Sequence, residues 1–161
     1  MSMIDFEQAK LLKEDALTKL EQHAIQLKIP TNEVSYWIHT LTYLTHTIGF
    51  FLKNERDSKE KNLLQKEYTI MNDLMEKMLV FSGIVTVSNN DLSFSISYEE
   101  MIILEGQLEL YTQVCQNQND SEYLELTNKY LNTLYKVMDE EASLIDMMTR
   151  ILVKSTSPKL N

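Results

Sequence analysis

Only three glycines and two prolines interrupt this chain of 161 residues, where ordinary usage of roughly 7% Gly and 5% Pro would supply about eleven and eight. Turn-making residues are scarce, which disfavours a many-turned β-sandwich or barrel, a collagenous chain and a linker-rich one. The same scarcity limits chemistry. Neither G-x-G-x-x-G nor G-x-x-x-x-G-K-[ST] can be drawn from Gly49, Gly83 and Gly106, so the two common phosphate-cradling loops are absent. A lone cysteine, Cys115, allows no internal disulfide and no cysteine-rich zinc site.

The length suits one domain able to bury a core without metals or disulfides. At 43% hydrophobic and 24% charged, the composition is that of a soluble globular protein. The first residues carry a charge by Asp5 and lack an apolar signal core, so cytoplasmic residence is expected. Fifteen Lys and Arg against 24 Asp and Glu give a formal charge of −9. The basic residues are scattered singly, with no stripe to neutralise a row of phosphates, so direct nucleic-acid binding is not expected.

Apolar residues recur at helical spacing from Phe6 through Ala9, Leu12, Ala16, Leu20, Ala24 and Leu27, which predicts an amphipathic helix over 4–28. Pro30 ends it, and Thr31 is placed to cap the next, over 32–54. Between Val34 and Leu52 lie 19 residues without charge. Four threonines and two histidines make this stretch too polar to span a membrane comfortably, so it reads as a central bundle helix covered on several sides. A third helix is expected over 59–81, with Ser58 as its cap and Gly83 as a left-handed stop.

Residues 84–97 then alternate, with Val85 and Val87 before Asn89-Asn90 and Leu92, Phe94 and Ile96 after it. This predicts a β-hairpin pairing Val87 with Leu92 and Val85 with Phe94. Ser97-Tyr98-Glu99-Glu100 matches a capping box opening a fourth helix to Asn117. A fifth runs from Ser121 or Glu122 to about Lys154, long enough at about 50 Å to bend or project. The expected fold is a mostly α, single-domain bundle of five helices over 1–154, with the hairpin between the third and fourth and a frayed tail over 155–161. Gly106 reads as a point of close helix packing, and Gly49 has no assigned role.

Candidate chemistry is sparse. His39 and His46 lie seven residues apart, a rise of about 10.5 Å, whereas two nitrogens on one zinc ion sit within about 4 Å. They cannot share a metal, and both read as partly buried histidines. Glu105 and Glu109 lie one helical turn apart, and Asp139, Glu140, Glu141 and Asp146 cluster on the last helix, all on polar faces. Cys115 reads as a small buried hydrophobe, and the eight tyrosines and nine methionines as core or as a binding groove.

No cofactor is implied, and catalytic motifs are lacking. The expectation is a non-enzymatic protein-interaction module, an adaptor, secretion-type chaperone or inhibitor. It would bind a protein partner or a second copy through the hairpin and the long last helix. The candidate interface is Val85, Val87, Leu92 and Phe94 with Asp139, Glu140 and Glu141. Two alternatives stand beside it: a small helical metal protein or enzyme using His39 or His46 with carboxylates, and an acidic mimic of nucleic acid.

Overall fold

The computed structural model of the chain describes residues 24–88 and 92–156, together with Glu7, Gln8, Lys10, Leu11 and Glu14, which are helical. The expected first helix does not extend to residue 28: Ala24–Ile29 is a strand, β1, while Glu7, Gln8, Lys10, Leu11 and Glu14 are helical as expected and the other residues of 4–23 lie outside the described residues. Ile25, Leu27 and Ile29 are buried while Ala24, Gln26 and Lys28 are exposed, so the operative period is two. Ile29 also precedes Pro30, whose ring disfavours helical geometry at the residue before it.

A 3-10 turn, Thr31–Glu33, leads into helix α1, Val34–Asn54. Thr31 does not act as its cap, because no side-chain cap bond forms at this end. Trp37, Leu41, Leu44 and Ile48 are buried in α1, whereas His39, Tyr43, His46 and Phe50 face outward. The helix is therefore covered on one broad face and not all round, and neither histidine is buried.

Helix α2 covers Ser58–Ser88. Its cap is Asp57, whose Oδ1 accepts the Lys59 and Glu60 N–H groups at 2.9 and 3.2 Å, rather than Ser58. Gly83 does not stop it, since no described glycine has a positive φ. Residues 84–88 consequently keep their helical hydrogen bonds, and the expected hairpin over 84–97 does not form. Strand β2 is Leu92–Ser97, and its antiparallel partner is β1, with Leu27 opposite Phe94 and Ile25 opposite Ile96. The expected turn at Asn89-Asn90 lies outside the described residues.

Helix α3, Tyr98–Asn117, starts at the capping box expected from the sequence. Ser97 Oγ accepts the Glu100 N–H at 3.1 Å, and Glu100 Oε1 accepts the Ser97 N–H at 2.8 Å. Asn119, at φ 54°, turns the chain, and Asp120 caps helix α4, Ser121–Thr156, by accepting the Tyr123 N–H at 3.0 Å. Ser155 and Thr156 are thus helical, and the rest of the expected tail lies outside the described residues. At 36 residues against 20, α4 outruns α3 by about 24 Å.

Beyond the helical residues Glu7, Gln8, Lys10, Leu11 and Glu14, the described residues hold four helices and a two-stranded antiparallel ribbon whose strands are far apart in sequence, not five helices around a local hairpin. All six elements contribute to one core, in which Ile29, Trp37, Met71, Leu74, Ile96, Leu104 and Leu134 are almost wholly shielded from water. The ribbon packs its apolar face on the helices, and the ring of Phe94 meets that of Phe81 edge-on at 5.6 Å. An isolated ribbon is marginal in water; this burial stabilises it.

Candidate protein-binding groove

The sheet has two strands among the described residues, so β2 pairs along one edge only. Two contacts show which backbone groups face the other edge. The Ser95 carbonyl accepts a hydrogen bond from Lys77 Nζ at 3.0 Å, and the Ser97 N–H goes to the Glu100 carboxylate. In an antiparallel ladder, alternate residues direct both N–H and C=O the same way, so Ser93 and Ser95 present their main chain away from β1. Ser95 Oγ on the outer face donates to Gln26 Oε1 at 2.8 Å, holding the register.

Alongside this edge runs α2, and between them lies a groove of about 650 Å³. Its α2 wall is one stripe of successive turns, Asp73, Glu76 and Lys77, Val80 and Ile84, and its β2 wall is Ser93 to Ser95 with Glu100 beyond. Val80 and Ile84 are 66% and 52% exposed, so nothing among the described residues covers the apolar end. Lys77 occupies the middle: its ammonium also pairs with Glu100 Oε1 at 3.0 Å and lies 5.6 Å from the centre of the Phe94 ring. A lysine across an open edge is a common guard against indiscriminate strand pairing.

The residues singled out from the sequence are divided by the structure. Phe94 is buried under the groove, 5% exposed, and contributes to core rather than to a free apolar face. Leu92 opens β2 opposite Ile29. Val85 and Val87 belong to α2 as helical residues and not to a strand. Asp139 and Glu140 are exposed on α4, and Glu141 is half-buried there, with Oε2 lacking a hydrogen-bond partner; none of the three lines the groove. Lys77, Val80 and Ile84 were missed. Their stripe was present in the sequence, but the strand edge that makes it a wall depends on pairing with β1.

His39 sets its ring edge-on to Tyr123 at 5.5 Å, and His46 is exposed. Among the described residues, no three His, Cys, Asp or Glu side chains converge where a metal ion could sit. Cys115 is buried, and burial raises its thiol pKa.

Glu33, which precedes α1, is clamped to α4. Lys129 Nζ donates to both its oxygens at 2.8 and 2.9 Å, and the Tyr130 hydroxyl donates to Oε1 at 2.6 Å. Burial pulls its pKa up, but these hydrogen bonds outweigh burial and hold the carboxyl below its usual range. Between α3 and α4, the Tyr135 hydroxyl donates to Glu109, which neighbours Glu105. Desolvation, then the hydrogen bond with Glu109 and its charge, raise the Glu105 pKa, while the Tyr135 bond lowers that of Glu109.

A scan against protein-family models finds no match, and searches of curated proteins and of solved structures find no significant relative. No helix among the described residues is long and apolar enough to cross a membrane.

Proposed function

We propose that this chain is a non-enzymatic protein-interaction module that binds an extended segment of a partner protein as a third strand along the open edge of β2. The observation supporting this reading is the juxtaposition of that edge with the uncovered Val80–Ile84 stripe of α2. Strand addition draws affinity from main-chain hydrogen bonds and specificity from alternate side chains, and this groove offers partners for both. Lys77 suits the role of a guard that an incoming N–H displaces from the Ser95 carbonyl, the ammonium keeping its pairing with Glu100.

The test is selection of a displayed library of short random peptides on the full chain, compared with Ser93→Pro. Proline there removes an N–H that points away from β1, so the β1–β2 ladder survives, and thermal melting checks that it does. The expected result is a set of peptides that bind the wild-type chain and lose about tenfold or more in affinity on the folded variant. A library that yields no binders, or binders indifferent to Ser93→Pro, overturns the reading.

A further inference from the structure

The two ends of the groove differ in chemistry. From Asp73 to Ile84 the α2 wall rises about 16 Å, the length of about five residues of extended chain. A strand of that length turns three alternate side chains towards α2. At one end they meet Val80 and Ile84. At the other they meet Asp73 and Glu76, with Glu100 near by. Lys77 is already paired with Glu100, whereas among the described residues neither Asp73 nor Glu76 is joined to a cation. The contacts of Lys77 with Ser95 and of Phe81 with Phe94 fix the direction: α2 ascends as β2 descends, which puts Ile84 beside Ser93 and the carboxylates towards Ser97.

We infer that the segment this groove takes is a basic-apolar strand of a partner protein, running antiparallel to β2, with Lys or Arg followed at alternate positions by two apolar residues. The inference rests on the strand-addition reading and adds the chemistry of the partner. Antiparallel pairing places the N-terminal end of the segment at the carboxylates, so the order is basic-x-apolar-x-apolar. A second copy of this chain does not fit as occupant. Paired antiparallel about a two-fold axis, its own β2, LSFSIS, would bring no Lys or Arg to Asp73, Glu76 and Glu100, on a chain of formal charge −9.

The same displayed library, read by sequencing, tests this on the wild-type chain, on Ser93→Pro, on the double variant Asp73→Lys/Glu76→Lys, and on the milder Glu76→Gln. Both acidic positions are exposed, and melting confirms that each variant folds. Lys or Arg should be enriched two residues before an alternating apolar pair among Ser93-dependent binders, and should give way to Asp or Glu on the double variant. Replacing that basic residue by Glu in a selected peptide should cost about tenfold in affinity, and the difference should shrink at high salt. Ser93-dependent peptides with no basic bias overturn this inference and leave strand addition standing. If no peptide depends on Ser93, both fall. A dimer in sedimentation that Ser93→Pro disperses assigns the edge to a second copy and overturns the inference.

Discussion

A methyl group added at Gly106 would enter open space, whereas at Gly49 it would lie 3.2 Å from Cε2 of Tyr68. Both residues are helical with ordinary backbone angles, so each glycine forfeits helix propensity of about 1 kcal/mol relative to alanine. Gly106→Ala should therefore raise the unfolding free energy by about 0.5–1 kcal/mol in denaturant titration. Gly49→Ala should gain less or lose stability, since the Tyr68 ring on α2 must give way. Equal gains would show that Gly49 is not what brings α1 against α2. From the sequence Gly106 reads as the close-packed glycine and Gly49 has no assigned role, because a glycine within a helical pattern does not show what its missing side chain would meet. Glu33 illustrates the same limit: nothing near it in the sequence points to Lys129 and Tyr130, 96 and 97 residues away.

At the scale of elements, locally specified features were read correctly and paired ones were not. The Ser97–Glu100 capping box lies within four residues, and it forms as expected. The long last helix follows from an uninterrupted period. Strand β2 was legible as a strand, but its partner was misassigned. A local hairpin closes a short loop at less entropic cost, yet it would break the helical hydrogen bonds of residues 84–88 and align only Val85 and Val87. Pairing with β1 keeps that helix and aligns Ile25, Leu27 and Ile29, the last fixed in extended geometry ahead of Pro30. Ala24 and Leu27 also satisfy helical spacing, so six residues could not decide the period without the partner strand. Cross-linking tests the register. In a Cys115→Ala background, Gln26→Cys with Ser95→Cys should oxidise to a disulfide, since a non-hydrogen-bonded antiparallel pair places Cα atoms about 4.5 Å apart. Val85→Cys with Phe94→Cys, the hairpin register, should not. The reverse outcome would restore the hairpin and remove the groove with it.

Over the whole molecule, the same side chains that tie α1 to α4 set how stability varies with pH. Tyr36 shares a 2.7 Å hydrogen bond with Thr127, stacks with Tyr130 at 6.1 Å between ring centres, and meets Tyr123 edge-on at 5.2 Å. Burial raises the pKa of Tyr36 and Tyr130 well above that of a free phenol, and the Glu33 carboxylate raises Tyr130 further. In the unfolded chain these phenols lose their protons near pH 10. The folded chain keeps them, so above that pH it binds more protons than the unfolded chain and stability falls as pH rises. For Tyr36 and Tyr130 together the limiting slope is about 3 kcal/mol per pH unit. At the acid end the sign is opposite: Glu33 titrates below its unfolded value, so its contribution is present above the ordinary carboxyl range and is lost as pH falls through the folded pKa. Glu105, raised, offsets part of that loss, because protonation is favoured in its folded setting. Denaturant titrations from acid to alkaline pH should therefore show a plateau through neutrality with a steep alkaline limb beginning near pH 10. Tyr36→Phe should make that limb shallower by about 1.4 kcal/mol per pH unit, at a cost of about 1 kcal/mol at neutral pH for the lost hydrogen bond to Thr127. A stability that stays level to pH 11, or a limb unchanged by Tyr36→Phe, would mean that these phenols are open to water and that α1 and α4 are not joined through them.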